Sequence, residues 1–101
     1  MKLMLISWRD IPSQLVLKEG RKSVKHLLSD RFQEAIDRAA MRDKSHDTDD
    51  YLEGWKREEI ATVSGDADAL IKSQADELEG RYDASYLEKL VKSGGWEGKN
   101  G

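Results

Sequence analysis

The chain has 101 residues, of which 38% are hydrophobic and 37% charged, and its formal net charge is −3. This length fits one domain with one core, and the apolar fraction argues against a disordered chain. The absence of cysteine excludes disulfides, thiolate metal sites and cysteine nucleophiles. No apolar run approaches the roughly 18 residues of a membrane span, and the start lacks a signal-peptide cleavage pattern, so we expect a cytoplasmic protein.

The first third of the chain predicts three strands. Residues 3–8 form a strand with apolar residues on both faces, as expected for a strand that is covered on both sides. Pro12 cannot donate a ladder hydrogen bond, so we place it in the turn before a second strand over residues 14–18. Residues 24–28 alternate and predict a third strand after a turn at Gly20. Short connections favour an antiparallel meander.

Residues 29–43 predict the clearest helix, because apolar residues recur at helical spacing and Asp30 can cap the first turn. Its polar side carries Arg38 and Arg42, four residues apart, which repel each other unless an acid or an external anion compensates them. The apolar side must pack on the sheet. That apolar face consists of Phe32, Ala35, Ile36, Ala39 and Ala40.

The second half predicts more helix than strand. Asp47 or Thr48 can cap a short helix with Tyr51, Leu52 and Trp55 on one face. Residues 58–63 predict a weakly signalled fourth strand, and residues from Gly65–Asp66 onward predict a longer helix. Asp83 can cap a last helix. The expected fold is therefore two-layer α+β, an antiparallel meander of about three strands plus a fourth, packed against three to four helices.

We expect one domain over residues 1–92. Residues 93–101 contain four glycines and predict a flexible C-terminal tail. Lysines and arginines outnumber acids by ten to six in residues 1–44, whereas acids outnumber them by fourteen to seven in residues 45–101. This asymmetry could steer a partner, but within one domain it is better explained by two faces that meet in the fold.

The end of the first strand is a candidate binding surface. Trp8 can stack on a ligand, Arg9 can bind a carboxylate or phosphate, and Asp10 can orient either. The competing interpretation, which we favour, is that Trp8 plugs the edge of the core while Arg9 and Asp10 complete a turn.

Two other clusters are weaker candidates. The second hairpin is basic, but the sequence pI of about 5.4 and the lack of a hairpin aromatic argue against nucleic-acid binding. The acidic segment lacks the glycine and the distal glutamate of a calcium loop, so helix capping explains it better than metal binding. The hairpin cluster consists of Lys18, Arg21, Lys22, Lys25 and His26, and the acidic one of His46, Asp47, Asp49 and Asp50.

Three strings carry a family resemblance: SWRDIP at residues 7–12, RF at 31–32 followed by AIDRAAMR at 35–42, and DDYL at 49–52 followed by Trp55. In them the chain resembles the bacterial virulence factor domain family, the small domain also found in conserved virulence factor C of staphylococci. The resemblance covers roughly residues 1–90. Free-standing members are encoded near folate-dependent methyl-transfer and corrinoid proteins, so the resemblance implies an accessory protein in one-carbon metabolism.

We therefore expect a non-enzymatic accessory or interaction protein that docks onto a larger methyl-transfer or cofactor-handling enzyme. No catalytic, metal or cofactor motif is evident. The alternative is a small enzyme or ligand-binding subunit that holds an anion, such as a folate tail. The candidate partner or ligand residues are Trp8, Arg9, Asp10, Arg38, Arg42, Tyr51 and Trp55.

Overall fold

The computed structural model describes residues 1–42 and 49–97 of the chain. Four strands and four helices follow one another in the order expected from the sequence. The strands are β1 (Lys2–Trp8), β2 (Ile11–Glu19), β3 (Lys22–Leu27) and β4 (Trp55–Thr62), and the helices are α1 (Asp30–Arg42), α2 (Asp49–Gly54), α3 (Ala67–Arg81) and α4 (Ala84–Lys92).

The strands form one antiparallel sheet in the order β3-β2-β1-β4. The first three strands make the predicted meander, because turns of two residues connect them. The chain then passes through α1 and α2 before β4 pairs with the free edge of β1. The expected α+β class is confirmed.

One face of the sheet carries the core. Leu3 lies opposite Leu17 across the β1–β2 ladder, and Leu5 lies opposite Leu15. Directly paired residues share a face, so these leucines form one apolar layer. Ile71 and Ala75 of α3 and the apolar side of α1 belong to the same buried cluster.

The helix predictions hold where caps and periodicity were strongest. All five apolar residues predicted for the first helix are buried. The Asp66 carboxylate accepts hydrogen bonds from the backbone N–H of Asp68 and of Ala69, and Asp83 caps α4 through the N–H of Tyr86. These caps fix the start of each helix because they satisfy donors that have no partner within the helix.

Strand boundaries differ from the prediction at Pro12 and Trp55. Pro12 lies inside β2, next to a shift in the β1–β2 register between Ile6 and Ser7, where the ladder does not require an N–H from every residue. Trp55 was expected on the short helix but is the first residue of β4 and pairs with Trp8. The charged start of β4 is tolerated because β4 is an edge strand.

Residues 93–97 also differ from the flexible tail expected over residues 93–101. The Gly95 N–H donates to the carbonyl oxygen of Leu90 at 2.7 Å, and the Gly95 carbonyl oxygen accepts from the N–H of Asp10 at 2.8 Å. The segment thus turns back from α4 onto the β1–β2 turn. We call residues 93–97 the C-terminal segment.

Candidate functional site

Trp8 lies in the core and not on a surface. Its side chain is 0% exposed, and the indole Nε1 donates a hydrogen bond of 2.8 Å to the carbonyl oxygen of Tyr51. The ring is enclosed by Gly54 at the end of α2 and by Gly95 of the C-terminal segment. This burial agrees with the favoured interpretation of Trp8 as a plug of the core, because a fully enclosed ring has no free face for a partner.

Arg9 forms a junction between β1 and the C-terminal segment. Its guanidinium carbon lies 4.4 Å from the centre of the Trp8 ring and 5.3 Å from that of Trp96. Its Nη1 donates to the Gly94 carbonyl oxygen at 2.7 Å, and its backbone N–H donates to that of Gly54 at 2.7 Å. These contacts hold Arg9 at φ 54°, a left-handed conformation that costs a non-glycine residue energy.

Asp10 also binds the C-terminal segment. Its carboxylate accepts a hydrogen bond from the backbone N–H of Glu97 at 2.7 Å and pairs with the Nζ of Lys56 at 3.3 Å. Arg9 and Asp10 therefore use their polar groups within the fold. This geometry agrees with the structural interpretation of the strand end more closely than with the binding one.

Tyr51 and Trp55, two further candidate residues, lie beside Trp8. The Tyr51 ring centre is 5.8 Å from that of Trp8 and 6.1 Å from that of Trp55, the second pair being edge-on. Both rings are half-buried. The three aromatic residues together join α2, β1 and β4.

Arg38 and Arg42 lie on the exposed side of α1. Arg38 makes two hydrogen bonds to the Glu88 carboxylate of α4, at 2.9 and 3.0 Å. This pairing raises the pKa of Arg38 and lowers the pKa of Glu88, and the nearby charge of Arg42 lowers the latter further. Glu88 therefore supplies the compensating acid that the sequence left open, and an external anion is not required.

Tyr86 and Glu97 tie the end of the described chain to α4. The Tyr86 hydroxyl donates to the Glu97 carboxylate, and this hydrogen bond is the main cause that raises the pKa of Tyr86 to about 12. The neighbouring Tyr82 ring centre is 5.3 Å away. Burial raises the pKa of Tyr82 as well. Sequence reasoning missed this contact, because Glu97 belongs to a segment that we expected to be a loose tail.

The second face of the sheet is the feature that the sequence analysis missed. Strand pairing places Met4 beside Val16, Ile6 beside Gln14, and Leu27 beside Gln14 on the far side. None of the four apolar side chains on this face belongs to the core cluster or packs against it. We call this surface the open face. Its residues are Lys2, Met4, Ile6, Gln14, Val16, Lys18, Ser23, Lys25, Leu27, Arg57, Glu59 and Thr62.

The open face is apolar at its centre and charged around it. Val16 on a central strand is only 3% exposed, because the longer side chains of Met4 and Lys25 flank it in the same row, whereas Leu27 on the edge strand is 71% exposed. A shallow depression of about 580 Å³ lies at one corner of the face. Its lining includes Lys2, Met4, Lys18, Arg57 and Glu59.

Within residues 1–42 and 49–97, no group of three or more histidines and acids is placed to hold a metal ion. His46 and Asp47 of the acidic cluster lie outside the described residues, as does the proposed cap at Thr48. No helix in the described part of the chain is long and apolar enough to cross a membrane.

The geometry thus defines a small α+β domain whose sheet is covered by helices on one face. The family model described as virulence factor matches residues 6–91. The chain belongs to the virulence factor family, which confirms the resemblance noted in its sequence. Neither the curated proteins nor the solved structures include a match to this chain.

Proposed function

We propose that this chain is a non-enzymatic accessory protein that docks onto a larger protein through the open face. The observation that carries the proposal is the apolar group of Met4, Ile6, Val16 and Leu27 on the open face, none of which belongs to the core cluster or is packed against it. Aliphatic side chains on an antiparallel sheet are normally placed on the covered face. Contiguous apolar groups that remain on the other face are typical of protein–protein contact sites.

The finer form of the proposal names the partner as a methyl-transfer enzyme linked to folate or corrinoid chemistry. Its support is the family resemblance alone. The residues assigned to ligand binding in the alternative function, Trp8 and Arg9, are enclosed, and Arg38 is paired with Glu88. The geometry therefore supports a docking protein better than a subunit that holds a small anion.

The test compares partner capture by three forms of the protein in extracts of the native host. The wild type and the variant Leu52→Thr should retain the same partner, because Leu52 is 67% exposed on α2, away from the open face. The variant Ile6→Thr with Leu27→Thr should lose it, since threonine keeps β-propensity but removes the apolar contact. The captured protein is then purified and its direct binding to each form is measured.

A partner that both variants retain equally would overturn the proposal. So would a change in tryptophan fluorescence at micromolar folate that Arg9→Ala abolishes, because that result would assign the function to the enclosed site. Identification of the partner as an enzyme without methyl-transfer chemistry would leave docking in place and remove the finer assignment.

A further inference from the structure

The open face differs in charge from the rest of the molecule. It carries four cations and one carboxylate, a net charge of +3, although the whole chain is at −3. The rest of the chain is therefore strongly acidic. Positive charge thus surrounds the aliphatic centre on this side of the sheet. The cations are Lys2, Lys18, Lys25 and Arg57, and the carboxylate is Glu59.

Within residues 1–42 and 49–97, these cations form no ion pair. No carboxylate among the residues that the structure describes lies within ion-pair distance of any of the four. By contrast, Arg31, Arg38 and Lys56, on the helix layer or facing it, each pair with an acid. The four cations of the open face are therefore available to an external group.

Lys2 and Lys18 add a second observation. They are direct partners in the β1–β2 ladder, so two like charges stand side by side on the same face. Such a cross-strand pair is unfavourable in the isolated sheet. An acid at this position would relieve the repulsion, and an acidic partner would therefore gain more from this corner than from a single lysine.

We propose that the open face binds an acidic protein surface, with an aliphatic centre that meets Met4, Ile6 and Leu27 and carboxylates that meet Lys2, Lys18 and Arg57. This inference rests on the proposed docking function. Nucleic acid is the other polyanion that a basic face attracts, but its single-stranded form requires aromatic side chains on which bases stack. The open face has none: its residues are aliphatic, polar or charged.

The test uses two synthetic amphipathic helices that share one leucine stripe, flanked by glutamates in the first and by lysines in the second. Binding is followed by the NMR shifts of the methyl groups of Met4, Ile6, Val16 and Leu27. The glutamate peptide should shift these methyls and the lysine peptide should bind at least tenfold more weakly. Higher ionic strength should weaken the binding of the glutamate peptide, because the charged contacts are exposed to solvent.

Charge-reversal variants locate the effect. The double variant Lys18→Glu with Arg57→Glu should bind the glutamate peptide at least tenfold more weakly than the wild type. The matched control, Lys89→Glu with Lys92→Glu, changes the net charge equally but places the change on α4 in the helix layer, and it should bind the peptide within twofold of the wild type. The urea unfolding midpoint of the variant Lys18→Glu with Arg57→Glu should be at or above that of the wild type. This control shows that the variant is folded, so a loss of binding is not caused by unfolding.

Several outcomes would overturn the inference, and they separate it from the docking function. Equal shifts by both peptides would remove the charge preference but leave an apolar docking face. Shifts of the same methyls by a twelve-nucleotide oligo-dT, as strong as those by the glutamate peptide, would assign the face to nucleic acid. If neither peptide shifts the methyl signals, the proposal of an acidic partner is wrong. Partner capture that is lost in the variant Ile6→Thr with Leu27→Thr would still support docking through this face.

Discussion

Gly54 packs against the indole of Trp8 so closely that a Cβ at this position would lie 2.5 Å from Nε1. The adjacent Tyr51 carbonyl holds the same Nε1 by a hydrogen bond, so the ring cannot move away without losing it. The junction of α2 and β4 is thus built around one side chain of β1.

Gly54→Ala is expected to destabilise the domain by about 1 to 3 kcal/mol, the range found when a methyl group is forced into a packed core. Gly80→Ala is the control. Gly80 lies in α3, and an added Cβ there would meet no atom within 4 Å. The same change should therefore raise the free energy of unfolding by up to about 1 kcal/mol, because alanine has the higher helix propensity. Urea denaturation of both variants checks the prediction. Equal midpoints would contradict the close packing of Gly54.

Arg9→Ala is expected to cost about 2 kcal/mol, because it removes a charged hydrogen bond to Gly94 and the stacking between Trp8 and Trp96. Arg9→Lys should recover little of this loss, since an ammonium lacks the planar guanidinium that both rings contact. Unfolding curves and the combined emission of Trp8 and Trp96 in a Trp55→Phe background report the change. A fold as stable as the wild type in Arg9→Ala would return Arg9 to the role of a binding residue.

Phe32→Ala is expected to cost about 3 to 5 kcal/mol, because Phe32 is 1% exposed and its ring centre lies 6.1 Å from that of Tyr82. Met41→Ala on the same helix is the matched control, since Met41 is 62% exposed and the change should cost little. Chemical denaturation compares the two. Similar losses for both would mean that the apolar side of α1 does not carry the core contact.

Much of this fold could be predicted because its signals are local. Periodicity located α1, and Asp66 and Asp83 marked the starts of α3 and α4 through caps that depend on the next three residues. The fourth strand was placed too late because Lys56 to Glu59 resemble a solvated segment, and only pairing with β1 makes them a strand. Local sequence does not contain that pairing.

The site was harder to predict than the fold, for two physical reasons. Apolar residues on both faces of β1 indicated a strand covered twice, but alternation does not tell whether a second layer exists, and Met4 and Ile6 remain uncovered. The C-terminal segment was expected to be loose from its glycines. Gly95, at φ 95°, instead permits the close approach to Trp8, a contact between residues far apart in the chain.

Tyr86 provides a pH-dependent prediction. Its pKa is about 12 in the folded protein, above the usual value of about 10. The stabilisation from its protonated hydroxyl is therefore fully present below pH 10 and is lost as the pH rises through 12. Absorbance at 295 nm, with Tyr86→Phe as the subtraction, should show this titration. Glu97→Gln should move the midpoint down toward 10, and an unchanged midpoint would contradict the hydrogen bond as its cause.

Lys18→Glu is expected to stabilise the isolated domain and to weaken its docking onto a partner. The substitution replaces the Lys2–Lys18 repulsion with an attractive cross-strand pair, which should stabilise the fold by about 0.5 kcal/mol. Lys18→Gln separates the two contributions, because it removes the repulsion without adding the attraction, and it should give about half the gain. Differential scanning calorimetry at low salt measures the stability of both variants, and added salt should reduce the differences.

A loss of stability in Lys18→Glu would mean that the lysine already has a favourable role in the free domain, and the repulsion argued for this corner would be wrong. The expected result, a more stable domain that binds the glutamate peptide less well, would indicate that the lysine is kept for a partner and not for the fold.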